Sequence, residues 1–208
     1  MESKHLPLLM MILFLLIIIV GRVACQFILT GNSGIRPGTR LKTTKEVLIS
    51  VMMFGVVGVQ TLLAWFFSTS RIDEQIELSS IATWLGLAFC AFGILFSSYA
   101  QYAMCKQWRI GVDPNEKTEL VTSGIYAKIR NPIYTGCIVF GTGLLLLAPH
   151  ILLLVTGIVG YFAVRAYVKD IEEPYLVKLH GENYRQYMSQ TGSFFPRLSD
   201  FKSVSKTD

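Results

Sequence analysis

The sequence predicts an all-α integral membrane protein of five membrane segments, the last two forming a helical hairpin, and three observations carry that prediction. Hydrophobic residues make up 52% of the chain and its mean hydropathy is +0.48, above the composition of ordinary soluble domains. Those residues fall in blocks, as membrane spans do. The short connections between blocks alternate in charge character, which gives the spans a direction.

The first block runs from Leu6 to Leu29 with one charge, Arg22, and is unbroken from Leu6 to Val20 apart from Pro7. Val23-Ala24-Cys25 is a weak match to a signal-cleavage site, so a retained helix is expected. Val47 to Phe67, which contains Gly55 and Gly58, and Leu78 to Met104 form the second and third spans, neither holding a Lys, Arg, Asp or Glu. Ile133 to Leu147 is ended by Ala148-Pro149-His150, and Ile151 to Val168 follows with one charge at Arg165. Fifteen residues reach about 22 Å, short of a hydrocarbon core of about 30 Å. The fourth and fifth segments are therefore expected as a tight hairpin, one arm starting below the membrane face or tilting little.

The first connection holds Arg36, Arg40, Lys42 and Lys45 against Glu46, and the second holds Arg71 against Asp73, Glu74 and Glu77. Basic connections prefer the cytoplasm. The N-terminus is then outside, the 106–131 stretch and the C-terminus are cytoplasmic, and the Pro149 turn is outside. The net charge of +5 follows from basic inside connections and does not imply nucleic-acid binding. Cys25, Cys90, Cys105 and Cys137 lack metal-ligand spacing and lie in or near apolar runs, so neither disulfides nor a metal site is expected. Residues 1–105 are expected as an N-terminal three-helix membrane region, 106–198 as the functional core, and 199–208 as a flexible tail.

Two polar blocks exceed what membrane helices require. One is Leu120-Val-Thr-Ser-Gly-Ile-Tyr-Ala-Lys-Ile-Arg-Asn-Pro-Ile-Tyr134; the other is Lys169-Asp-Ile-Glu-Glu-Pro-Tyr175. A hairpin places both on one face. Asn131-Pro132 predicts the start of the fourth helix, with Asn131 as its cap and its dipole end turned toward the site. Gly124 supplies either a tight turn or a close approach of the chain to a ligand. Lys128 and Arg130 are either site residues or snorkelling anchors. If helix continues past Val168, then Arg165, Lys169, Glu172 and Glu173 share a connected polar side, although Pro174 could kink the helix or begin a new one.

At the end of the third span, Ser97, Ser98, Tyr99, Gln101 and Tyr102 precede Trp108, as either an interfacial belt or a cavity lining. Tyr175 to Met188 reads as an amphipathic surface helix interrupted at Gly181. Ser193-Phe-Phe-Pro-Arg-Leu198 could pack back over the site as a lid.

The order and spacing of Leu120 to Tyr126, Arg130-Asn-Pro-Ile-Tyr134-Thr-Gly136, Glu172-Glu173, Gly181-x-x-Tyr184-x-x-Tyr187 and Pro196-Arg197 resemble the isoprenylcysteine carboxyl methyltransferase family, to which phospholipid N-methyltransferases are related. The resemblance covers about half the chain, from Gln101 to Leu198. It implies an integral membrane methyltransferase using S-adenosylmethionine, with a cytosolic cofactor pocket and a lipid or prenylated small-molecule acceptor arriving from membrane lipid. Asn131 stands where His is usual and Asn is a common bacterial form, which implies an inner or plasma membrane of a prokaryote.

By the same resemblance Glu119, Leu120, Val121, Gly124, Tyr126, Arg130, Asn131, Pro132, Tyr134, Glu172 and Glu173 are cofactor-binding candidates. Arg165, Lys169 and Glu173 are the candidates for catalysis. Lys169 stands where an acceptor-binding Arg is usual, so Arg165 is the alternative for an acceptor carboxylate. An N- or S-methyl acceptor is the nearest rival; an amine would need a proton acceptor, for which Glu172, Glu173 or His180 would serve. A transporter or a structural membrane protein is the more distant rival; transport predicts polar or broken helices near the bilayer midplane.

Overall fold

A computed structural model describes residues 3–31, 33, 44–72, 79–104 and 119–197. Its helices are α1 (Ser3–Thr30), α2 (Thr44–Ser68), α3 (Ser80–Met104), α4 (Pro132–Leu147), α5 (Ile151–His180) and α6 (Glu182–Gln190). Four of them, α1, α2, α3 and α5, are long and apolar enough to cross a membrane; α4, at 16 residues, is shorter. Trp108, Cys105, Leu198 and the expected tail lie outside the described residues.

Each apolar block becomes a helix, and the breaks have local causes. Gly31 ends α1 in the left-handed conformation (φ 70°), with its N–H on the Phe27 carbonyl at 2.8 Å, a stop that glycine reaches without strain. Within α1, residues Leu15–Gly21 widen into a π-helical stretch. Such widening disturbs the regular carbonyl ladder, and Gln101 of α3 donates its Nε2 to the Ile18 carbonyl at 3.0 Å. A buried polar side chain is thereby matched to a backbone group inside the bundle.

The core joins Met11 and Phe14 of α1, Leu63 and Phe67 of α2, Cys90 and Ile94 of α3, and Phe140 and Leu144 of α4. Phe14 stacks on Phe140 with centroids 4.3 Å apart. Val51, Phe54, Trp84, Leu95 and Phe162 point outward, as a lipid-facing surface requires. The expected hairpin exists in connection more than in packing. His150 accepts the Leu152 N–H at the turn, but α4 lies chiefly along α3, and α5 chiefly along α2.

Glycine sets the α3–α4 distance. A Cβ on Gly136 would fall 2.1 Å from Ser97 Oγ and 2.9 Å from both the Gly93 carbonyl and the Ser97 nitrogen; one on Gly143 would fall 2.6 Å from the Cys90 nitrogen. Close backbone approach is how membrane helices gain packing without a solvent-driven force. By contrast, a Cβ on Gly55 or Gly58 meets nothing within 4 Å, so these glycines do not carry packing among the described residues. Gly136→Ala is expected to lower stability by about 3 kcal/mol through overpacking against backbone. Thermal unfolding in detergent, compared with Gly55→Ala, checks this; equal midpoints would contradict the seam.

The fifth segment also continues further than its apolar run. It passes through a π turn at Val168–Glu172 and then through Pro174, near the start of the following α-helical turn. A proline lacks its N–H and crowds the carbonyl four residues back; the wider π register relieves that demand, so the helix runs on to His180. Gly181, at φ 58°, then turns the chain into α6.

Candidate active site

Arg130 joins the two polar blocks. Its Nε and Nη2 donate to Glu173 Oε1 at 3.2 and 2.9 Å, and its Nη1 donates to the carbonyls of Met188, at 3.1 Å, and Thr191. The two side chains are only 10% and 14% exposed. Removing either partner from such a pair is costly because the other charge stays buried. The guanidinium is thus engaged along its length with protein, tying the loop before α4 to α5 and to the end of α6. Both Arg130 bonds to the Glu173 carboxylate fall on one oxygen.

The same loop is laced to the C-terminal segment. Gly192 and Ile129 form a parallel bridge; Arg130 N–H donates to the Gly192 carbonyl at 2.9 Å and Asn131 N–H to that of Ser193 at 3.0 Å. Asn131 stands at the cap position of α4, yet its side chain makes no cap bond. The expected side-chain cap does not form. Its Nδ2 instead donates to the Ser193 carbonyl and hydroxyl at 3.2 and 3.3 Å, while Pro132, lacking an N–H, opens the helix at little cost. Thr135 Oγ1 adds a bond to the Phe194 carbonyl at 2.6 Å. Phe194 is buried and Phe195 exposed, so the segment packs back along α4.

Gly124 has φ 59° and opens a 3-10 turn, Gly124–Ala127; a Cβ there would meet only the Tyr99 hydroxyl, 3.9 Å away. The left-handed turn, more than crowding, is what asks for glycine. Tyr126 is buried and donates to the Ala100 carbonyl at 3.2 Å, while its own carbonyl accepts from the Tyr187 hydroxyl at 2.7 Å. Burial holds the Tyr126 hydroxyl protonated well above the usual range, with Tyr187 adding to the effect. Burial likewise pushes Tyr187 up to about 12 against the pull of Arg130. Both phenols act as donors at neutral pH.

Tyr134, in the first turn of α4, lies close to Glu172 and Tyr167. Tyr126, Arg130, Asn131, Pro132, Tyr134, Glu172 and Glu173 are therefore gathered at one end of the bundle. Arg165 and Lys169 stand exposed on α5, and among the described residues no ion pair joins them to the Arg130 knot. Asp170, next to Lys169, pairs with Lys45 of α2 at 2.8 Å.

Beside the knot opens a cleft of about 650 Å3. Glu119, Leu120 and Thr122 form one wall; His180 and the α6 residues Asn183, Gln186 and Gln190 form the other, with Tyr187 and Thr191 between. Of the cofactor candidates only Glu119 and Leu120 line it; Val121 is half-buried next to them. Sequence inspection missed Thr135, Gly192 and the α6 carboxamides. The one visible signal was the row Asn183, Gln186, Gln190, spaced for a single helical face. Among the described residues no group of three or more His, Cys, Asp or Glu side chains could hold a metal ion.

The protein is thus an apolar helical bundle with a charged, hydrogen-bonded cluster at one end. The Phospholipid methyltransferase family pattern matches residues 81–183, spanning α3 to the start of α6. The nickel-cobalt-cadmium resistance protein NccN of Alcaligenes xylosoxydans xylosoxydans is 30% identical over 179 residues, covering 84% of this chain and 78% of that protein. The protein-S-isoprenylcysteine O-methyltransferase of Schizosaccharomyces pombe is 35% identical over 87 residues, 40% of this chain and 36% of the yeast protein. The solved eukaryotic intramembrane Ras methyltransferase, an isoprenylcysteine carboxyl methyltransferase, aligns with a TM-score of 0.49 at 20% identity, over 77% of this chain and 55% of that one. The chain thus spans about half the length of that structure and about a third of the yeast enzyme. It belongs to the integral membrane methyltransferases of the isoprenylcysteine carboxyl methyltransferase type.

Proposed function

We propose that this protein transfers a methyl group from S-adenosylmethionine to a lipid-like acceptor entering from the bilayer, and that the accepting group is a carboxylate. The observation that carries the reading is the Arg130–Glu173 pair, which sets a carboxylate beside the start of α4. The donor set fits the cofactor. Glu173 and the Glu172–Tyr134 pair suit an ammonium group and hydroxyls, and the first-turn N–H groups of α4 suit a carboxylate, since a helix start leaves them without intrahelical acceptors. The cofactor brings a methyl group already activated on a sulfonium.

The residues of this chain bind, orient and keep water out. A carboxylate acceptor is ionised at neutral pH and needs no general base, and Lys169 and Arg165 are its orienting cations. Lys169→Ala and Arg165→Ala are each expected to raise the acceptor KM roughly tenfold, the worth of one charge-assisted bond, with donor affinity kept. Steady-state kinetics together with donor titration checks this; loss of donor affinity alone would reassign the residue. The basic first connection supports a site facing the cytoplasm.

A second reading, an amine acceptor, is favoured by the Phospholipid methyltransferase pattern over residues 81–183. Glu172, close to Tyr134, would then hold the proton that the amine gives up. Incubation with labelled donor, prenylated thiol acids and phosphatidylethanolamine vesicles separates the two. Label released by mild base supports the ester; label that resists base supports the amine and overturns the carboxylate.

A further inference from the structure

We propose that the polar end of α1 is a working part of the site: Arg22 is a positioning residue that holds the Tyr126 turn, and Gln101 fixes α1 at the height where it can do so. Its bearing on catalysis rests on the donor reading above. The buried stripe of α1 runs Pro7, Met11, Phe14, Ile18, Arg22, Gln26, the spacing of one helix face. Its first four members are apolar; the last two are polar and only 6% and 4% exposed. A face that only packed against its neighbours would stay apolar, because a charged side chain inside a membrane helix is costly and is kept where it serves a site.

Arg22 is oriented from its own helix. Its Nη2 donates to Gln26 Oε1 at 2.9 Å and its Nη1 to Cys25 Sγ at 3.7 Å. A carboxamide orients a guanidinium without cancelling its charge. That charge reaches Tyr126. Burial, Tyr187 and Glu172 hold the proton on the Tyr126 hydroxyl and Arg22 pulls against them, so the α1 cation and the Glu172 carboxylate act on one phenol. The hydroxyl donates to the Ala100 carbonyl at 3.2 Å, and its oxygen keeps an acceptor capacity that a nearby cation stabilises.

The attachment to α3 is double. Gln101 donates to the Ile18 carbonyl at 3.0 Å, one turn before Arg22 and inside the π-helical stretch. Ala100, its neighbour, takes the Tyr126 hydroxyl. Consecutive residues of α3 thus fix α1 and the turn relative to each other. From Tyr126 the bonds continue through its carbonyl to the Tyr187 hydroxyl on α6, and Arg130 follows on the same loop. The Phospholipid methyltransferase pattern starts at residue 81, so α1 brings to the site a residue from outside that shared segment.

The test pairs calorimetric titration of the full chain in detergent with S-adenosylhomocysteine and hydrogen exchange of the ligand-free protein. Arg22→Met is expected to weaken affinity roughly tenfold and to speed exchange of the Tyr126 and Lys128 amides, which now bond the Ser123 and Ile125 carbonyls. Arg22→Lys, which keeps the charge, should return affinity to within about threefold of wild type. Gln101→Leu should reproduce the Arg22→Met losses from the α3 side, and reads them alone if Arg22→Met does not fold. Met11→Ala, a cavity in the apolar part of the same stripe, is the structural control: a lower thermal midpoint with affinity and exchange kept. Wild-type affinity and exchange in both Arg22→Met and Gln101→Leu, no recovery in Arg22→Lys, or an equal loss of affinity in Met11→Ala overturns the positioning role. Faster exchange at Tyr126 in the variants, with no binding of S-adenosylhomocysteine by wild type, upholds the hold on the turn and overturns the donor reading instead.

Discussion

Glu173→Gln is expected to keep the fold and lose the site, whereas Arg130→Ala loses both. The glutamine still offers an oxygen to the Arg130 Nε and Nη2 that now meet Glu173 Oε1, so the helices stay tied. What disappears is a negative charge that is 14% exposed. A hydrogen bond to a charged group contributes about 1.5 to 3 kcal/mol, so donor affinity should fall roughly 10- to 100-fold. Arg130→Ala instead frees the Thr191 carbonyl along with Glu173, leaves the Met188 carbonyl with Arg197, and should cost about 3 kcal/mol of stability as well. Thermal unfolding and donor titration on the same samples read the two effects. Equal donor affinity in both variants and wild type would sink the site.

Gly192→Ala should be nearly as damaging without touching a charge. A Cβ there would sit 1.7 Å from the Phe195 carbonyl oxygen and 2.8 Å from its carbon, both backbone atoms that cannot swing away. The segment must shift, taking with it the Arg130 N–H bond to Gly192, the Asn131 bonds to Ser193 and the Thr135 bond to Phe194. A loss of about 3 kcal/mol is expected, the upper range for forced overpacking. Hydrogen exchange read by mass spectrometry should show the peptide containing Arg130 and Asn131 losing protection in the variant. Unchanged protection there would mean that the lacing does not hold the loop.

The sequence showed the helices because apolar blocks are a local property, and every block became one. It also showed that the two polar blocks share an end, since two segments separate them; the Arg130–Glu173 pair bears that out. What it hid depends on partners distant along the chain. Asn131 read as a helix cap because its neighbours made one plausible, but Ser193, 62 positions on, takes its side chain. Gly136 and Gly143 looked no different from Gly55 and Gly58 until α3 lay against them. Pro174 suggested a kink or the start of a new helix, and only the π turn at Val168–Glu172 shows how the helix runs on through it.

Tyr126 and Arg130 illustrate a further limit. Both belong to the motif that resembles the methyltransferase family, and both are heavily committed to protein contacts in the structure. A motif marks where a site is without distinguishing residues that touch a ligand from those that hold the wall. In the proposed function, Glu173, Glu172 and Tyr134 are the groups nearest the chemistry, and the wall-holding residues surround them.

The most direct measurement is methyl transfer itself. Purified protein in vesicles, given S-adenosylmethionine labelled in the methyl group and a prenylated thiol acid, should place label in the lipid fraction. Glu173→Gln, folded to the same thermal midpoint, should reduce that label roughly 100-fold. Transfer at the wild-type rate by Glu173→Gln would contradict a site built on the Arg130–Glu173 pair. Absence of label from every lipid fraction with wild type would contradict the methyltransferase account as a whole.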